Sequence, residues 1–265
     1  MLDNLRRPHF ANPPVVEVAC GTQFEGLERW RTPHYGLFWT KIQQDYPEIE
    51  DHPPLPRVRL DPQPSAFDPQ WSLLPPLRRV FFIKPPGNFL IQLQQTRLLH
   101  NWRKINDTDE YPRFDAAFEK FIWSWIQFNE FLASANLPSP KPEIWELTYI
   151  NHIVDNGARF PQDVWEYLGF YEKSPQATTA MEASAMTIQF AWPLPDNMGI
   201  LSLDVKHGNR VDDRREVLLM ELTARGAATA DGAEMNSWFG LAHDAIVNTF
   251  EKLTTNRAHK LWEKL

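Results

Sequence analysis

The segment from Pro112 to about Ala135 constrains the fold more than any other stretch. Phe114, Phe118, Phe121, Trp125, Phe128 and Leu132 recur at spacings of three and four, which sets them on one stripe of a long helix. Pro112 suits a first helical turn, and Pro138, shortly after Asn136, forbids continuation. A stripe of Phe and Trp cannot be left facing water, so this helix must lie across a sheet.

The neighbouring segments supply that sheet. Asn88–Gln94 and Arg97–Arg103 read as an extended hairpin, and Glu143–Ile153 as a further strand. Upstream, Val15–Phe24 is β-branched and alternating, with Gly21 placed for a bulge. Tyr35, Phe38, Trp39, Ile42 and Tyr46 make the stripe of a first helix, capped by Thr32, opened by Pro33 and ended by Pro47. Nine prolines from Pro47 to Pro76 predict no regular structure there. Leu60, Phe67, Trp71, Leu73 and Leu74 are nevertheless too apolar for solvent, so 47–78 is expected to be a Pro-rich loop packed over the surface. Arg79–Ile83 is another strand.

Past Glu143–Ile153 a short helix is expected over Phe160–Gly169, then strands at Ala183–Trp192, Met198–Lys206 and Glu216–Ala224. His207–Arg210 reads as the turn joining the last two. In the middle one Leu201, Leu203 and Val205 alternate with Ser202, Asp204 and Lys206, one buried face and one wet. A last helix, from about Asn236 to Leu253, precedes a terminal turn capped by Thr254-Thr255. The expected class is α+β: duplicated β-α-β-β-β-α units, 1–140 and 141–265, merging into one globular unit with a curved antiparallel sheet. The long helices would cover one face. The order of elements is similar to TATA-binding-protein-like and helix-grip folds, which bind ligands on the open concave face, although a fold does not fix a function.

A net charge of −7 argues against non-specific binding to nucleic acid or anionic membrane. Cys20 is the single cysteine, which excludes an internal disulfide framework and fits a reducing compartment. No apolar run follows the N-terminal charges and no stretch is long enough to cross a bilayer, so a cytoplasmic protein with no membrane partner is expected.

The chemical signal lies in polar residues inside strands: Glu17, Gln23, Gln92, Gln94, Arg97, Asn101, Arg103, Glu146, Thr148, Asn151 and His152. With helices on one face, many of these would line the other. Carboxylates, amides and guanidinium groups so arrayed can bind a polar ligand or a peptide through directed hydrogen bonds. The plainer expectation is that they merely solvate a free sheet face. His100-Asn101 and Asn151-His152 are adjacent in strands, so each pair points to opposite faces and does not act as a unit.

No metal-ligand spacing, phosphate-binding loop or nucleophile elbow occurs, and no cofactor is expected. Cys20, in an apolar strand, reads as a small buried hydrophobe. Trp102 beside Arg103-Lys104 is the best candidate for stacking a base, against the acidic balance of the chain. Trp123 falls off the helical stripe and is a candidate interface residue.

Asn12–Glu17, Gln92-Leu-Gln94 with Asn101-Trp-Arg103, Tyr111-Pro112 and Glu146–Ile153 together resemble one family, as do the closing Thr254-Thr255 and Leu261-Trp262. It is a sporadically distributed prokaryotic family without an established activity, and the resemblance spans nearly the whole chain. It transfers no catalytic residue. Its distribution implies an accessory role, such as phage defence or a toxin–antitoxin module.

The leading expectation is a non-enzymatic binding or adaptor protein, a subunit of a larger assembly with another protein as partner. The first alternative is an enzyme or sensor for a small polar ligand in the concave face, with Glu17 or Glu146 as base and Arg103 as anion clamp. Nucleic-acid binding, reached through a complex, is the second.

Overall fold

The computed structural model describes residues 7–60, 77–154, 157–171, 183–210 and 214–265. The fold is α+β. Nine strands make one antiparallel sheet that does not close into a barrel: β1 (Val15–Phe24), β2 (Glu48–His52), β3 (Arg79–Lys84), β4 (Phe89–Gln94), β5 (Arg97–Arg103), β6 (Pro142–Ile153), β7 (Thr187–Pro193), β8 (Ile200–Asn209) and β9 (Glu216–Ala227). Their order across the sheet is β2-β3-β4-β5-β1-β6-β9-β8-β7. The α-helices are α1 (Thr32–Ile42), α2 (Arg113–Ser134), α3 (Gly232–Leu253) and α4 (Asn256–Leu261). Among the described residues no helix is long and apolar enough to cross a membrane.

Contacts gather the chain into two compact units. One holds Val18–Leu147 and Arg225–Trp238; the other holds the residues up to Glu17, Thr148–Ala224 and Phe239–Leu265.

In the first unit the aromatic stripe does what its spacing requires. Phe114, Phe121, Phe128 and Leu132 of α2 are buried, while Phe118 and Trp125 are half-buried. Phe128 meets Phe24 of β1 at 5.8 Å between ring centres, and Phe38 of α1 at 5.6 Å. Phe38 in turn lies 5.5 Å from Phe82 of β3. Strand register extends that face. Phe82 pairs with Ile91 and Ile91 with His100, so all three point toward the helices. The opposite face carries Phe81, Gln92 and Leu99 in one row, and Gln94 with Arg97 in another.

In the second unit β7 and β8 pair from Thr187↔Lys206 to Pro193↔Ile200. Tyr149 stacks on His243 of α3 at 6.0 Å. Phe10 meets Phe250, His259 and Trp262 edge-on, and Phe250 lies tilted against Trp262, a cluster that fastens α4. Thr255 caps α4, its hydroxyl accepting from the Ala258 N–H at 3.2 Å, as expected from the sequence.

Several expectations fail locally. Residues 48–52 form a full strand inside the Pro-rich run, because Pro47 and Pro53 bracket β2 and remove no donor from its ladder with β3. The remainder of that run is described only to Leu60; Phe67, Trp71, Leu73 and Leu74 lie outside the described residues. Phe160–Gly169 is not an α-helix but turns around a 3-10 segment, Val164–Glu166. So short a run gains little from helix propagation, and the burial of Val164, Tyr167 and Leu168 sets its geometry instead. The strand expected from Ala183 begins at Thr187, and β8 continues through His207 to Asn209, so the turn to β9 comes later than His207–Arg210. Thr32 is the first residue of α1 rather than its cap; the Arg31 N–H donates to His34 Nδ1 at 2.8 Å. Trp123 is no free anchor, being half-buried and stacked on Tyr46 at 5.7 Å.

Candidate functional site

The polar strand residues of the first unit are buried, not solvating. Gln23, Gln92, Gln94, Arg97, Asn101 and Glu146 each expose 7 % or less of their surface. A wet sheet face would leave such side chains largely open, so the plainer expectation is wrong here. Part of the cover is the chain itself, in the extended residues Leu55–Val58.

Two glutamines hold that segment by its main chain. On β4, Gln94 Oε1 accepts from the Leu55 N–H at 2.9 Å while its Nε2 donates to the Leu55 carbonyl at 3.1 Å. On β1, Gln23 Oε1 accepts from the Val58 N–H at 2.8 Å and its Nε2 donates to the Val58 carbonyl at 3.0 Å. Between them Arg97 of β5 donates to the Pro56 carbonyl at 3.2 Å. A primary amide presents one acceptor beside one donor, so it can satisfy both main-chain groups of a single residue.

Each amide is oriented by further partners. Arg97 also donates to Gln23 Oε1 at 3.0 Å, and Gln23 Nε2 reaches Glu143 Oε2 at 3.4 Å. A guanidinium on one side and a carboxylate on the other leave Gln23 a single sensible orientation. Gln94 Nε2 donates to the Thr96 hydroxyl at 3.1 Å, which fixes it likewise. Glu143 also takes the Arg57 guanidinium, so the gripped segment brings its own cation to the site.

Beneath the grip lies a buried charge cluster. Glu146 Oε1 is 4.0 Å from Arg97, and Oε2 accepts from Arg225 Nε of β9. Burial pushes the Arg97 guanidinium below its ordinary value; Glu146 works against that shift, and Arg225 and Arg57 add to it. On the same face of β4 as Gln94, Gln92 Oε1 accepts from Arg79 at 2.8 Å.

Gly21 makes the assembly sterically feasible. A Cβ there would stand 2.1 Å from Leu99 Cδ2 and 2.7 Å from the Leu98 carbonyl oxygen. The residue allows close packing against β5, two positions before Gln23.

Not every expected site residue joins the cluster. Arg103 is turned to the Gly87 carbonyl at 2.9 Å, at the far end of β5 from Arg97. Asn101 is buried on the same face as Leu90. Glu17, Thr148, Asn151 and His152 fall in the other unit. There the Thr148 hydroxyl meets that of Thr223 at 3.0 Å, and Asn151 donates to the Met220 carbonyl at 3.2 Å. The His152 N–H donates to the Pro14 carbonyl at 2.9 Å. Arg57, Glu143 and Arg225 were missed. Arg225, a cation in β9 among Leu222, Ala224 and Ala227, carried a readable signal; Arg57 in the proline run carried none.

Cys20 is fully buried, and burial pushes its thiol far above the ordinary value. Among the described residues no grouping of three or more His, Cys, Asp or Glu side chains could hold a metal ion. No family model, curated protein or solved structure matches the chain.

Proposed function

We propose that the chain is a non-enzymatic binding protein, one subunit of a larger assembly, whose polar sheet face holds an extended segment of protein. One observation carries this reading: Gln94 and Gln23 each grip a single residue by both its N–H and its C=O, with Arg97 on a carbonyl between. Such a device matches the repeating groups of a polypeptide backbone rather than the irregular outline of a small metabolite. The surroundings favour holding over proton transfer, since both Glu146 oxygens face guanidinium groups. The strand order, read outward from β1 and β6 as β5-β4-β3 and β9-β8-β7, supports an origin by duplication.

Native mass spectrometry of the protein taken gently from its own host tests the reading. The expected result is a stoichiometric protein partner that is lost from a folded Gln23→Ala, Gln94→Ala double variant. Retention of the partner by that folded variant would remove the proposed site.

A further inference from the structure

We propose that Leu55–Val58 is an internal stand-in for the partner, occupying a peptide site from which an extended segment with a Pro-Arg core displaces it. The inference rests on the reading above and names what the site takes and how it is closed. Every bond that fixes Leu55, Pro56 and Val58 goes to a main-chain atom, so another chain can make the same bonds. The segment is held chiefly by these bonds. Pro56 and Arg57 are exposed, and Leu55 and Val58 only half-buried.

The prolines make it a good ligand. Pro53, Pro54 and Pro56 have no N–H to satisfy and keep the chain extended before it is bound, which lowers the entropy cost of docking. The N–H groups of Leu55 and Val58 are the two that the glutamines accept. Arg57 supplies the one side-chain contact with charge, to Glu143.

The receptor side explains why the occupant exchanges rather than merely leaves. With the segment in place Gln23, Gln94 and Arg97 are more than nine-tenths buried, and removing it would open their bonds to Leu55, Pro56 and Val58 while leaving those of Gln23 to Arg97 and Glu143 and of Gln94 to Thr96. A second chain that remakes those bonds replaces what the segment gives up, and the tether presents the internal copy at a high effective concentration. A partner must therefore repeat the same chemistry: an extended backbone with free N–H groups three residues apart, and an arginine directly before the second.

The test uses a fluorescent peptide of residues 53–60, Pro-Pro-Leu-Pro-Arg-Val-Arg-Leu, followed by anisotropy against the full chain. Leu55→Pro with Val58→Pro removes both donors from the internal copy and leaves the receptor residues intact. The peptide should bind this variant at least ~10-fold more tightly than the native chain. Adding Gln23→Ala should abolish the gain, and a peptide carrying Arg57→Glu should bind more weakly. A folded double-proline variant that ignores the peptide overturns the proposal. Should that variant fail to fold, hydrogen exchange on the native chain decides. The Leu55 and Val58 amides exchanging at least ~10-fold faster than those of β4 and β5, and faster still when peptide is added, support exchange; amides opening only in step with the sheet overturn it. A host partner that needs Gln23 and Gln94 while the peptide fails would sink the exchange alone. Peptide binding without a host partner would sink the proposed function alone.

Discussion

Two hairpins of this protein are written in the same code and end in opposite environments. In β4–β5, glutamines and arginines alternate with leucines and isoleucines; in β7–β8, Gln189, Ser202, Asp204 and Lys206 alternate with Ile188, Leu201, Leu203 and Val205. The polar side of β7–β8 stays near water, where Asp204 accepts from Gln189 and Lys206 at 2.9 Å each. In β4–β5 the polar side is buried and bonded to a separate stretch of the chain. Alternation thus reports that two faces differ, and says nothing of what covers the polar one. The length and bonding capacity of the side chains carry that further information. Gln and Arg can complete several directed bonds when desolvated, whereas Ser, Asp and Lys near water need not.

The sharpest way to break this contrast is to remove the charge that the buried hairpin depends on. Glu146→Gln leaves Arg97 buried without its carboxylate, and should destabilise the protein by ~3–5 kcal/mol in urea unfolding. A loss under ~1 kcal/mol would mean that the cluster is effectively hydrated, and that the two hairpins differ far less than their burial implies.

A pH effect of comparable size, spread over several pH units, comes from the helix-covered side of β5. His100 is fully buried, its Nε2 2.9 Å from the Tyr46 hydroxyl; burial, with a smaller push from Lys120, lowers its pKa to about 3. The unfolded chain binds that proton near pH 6.5 while the folded one refuses it, so stability is unaffected above pH 6.5 and falls below it. From pH 6.5 toward 3 the expected slope is ~1.4 kcal/mol per pH unit for this group. His100→Gln, which leaves Tyr46 a hydrogen-bonding partner, should flatten that part of the stability profile. An unchanged profile would show that His100 is solvated when folded.

These two residues also mark what could be read from the sequence. His100 and Asn101 were assigned to opposite faces from strand geometry alone, and register bears that out. The sheet-on-helix arrangement followed from Phe114, Phe121 and Phe128, because a helical period in large aromatics has few other solutions. The site was half legible. Gln23, Gln94, Arg97 and Glu146 stood out as polar residues in strands, but the segment they hold sits in the proline run, where periodicity vanishes and long-range pairing leaves no trace. Tertiary bonds between a loop and a strand have no characteristic spacing, so Arg57 and Leu55 were unreadable as partners. Residues 160–169 failed for the converse reason: apolar spacing was present, but the run was too short to decide its own geometry.

Gly21 of β1 adds a steric condition to the buried hairpin, at Leu98 and Leu99 of β5. Gly21→Ala would press a methyl into Leu99 and the Leu98 carbonyl, and overpacking of this kind costs ~1–3 kcal/mol, read as a lower urea midpoint with unchanged slope. A neutral substitution would show that β1 and β5 can part without loss, and the Gln23 grip would then have to tolerate movement of its own strand.

The smallest effect belongs to the open hairpin and serves as the control for all the others. Burial, the largest single influence on the Asp204 carboxyl, raises it, but the bonds to Lys206 and Gln189 with the Lys206 charge together outweigh burial and hold it below the usual carboxylate range. That carboxylate therefore favours folding above its unfolded-state pKa, and the contribution fades as pH drops through the lowered folded value. Its partners sit near water, so screening keeps the pair weak: Asp204→Asn should cost no more than ~1 kcal/mol, and less at high salt. Glu146→Gln should resist added salt, because its partner Arg97 lies out of reach of mobile ions. If both variants respond to salt alike, burial is not what distinguishes the hairpins, and the difference must be sought in the segment bonded to β4.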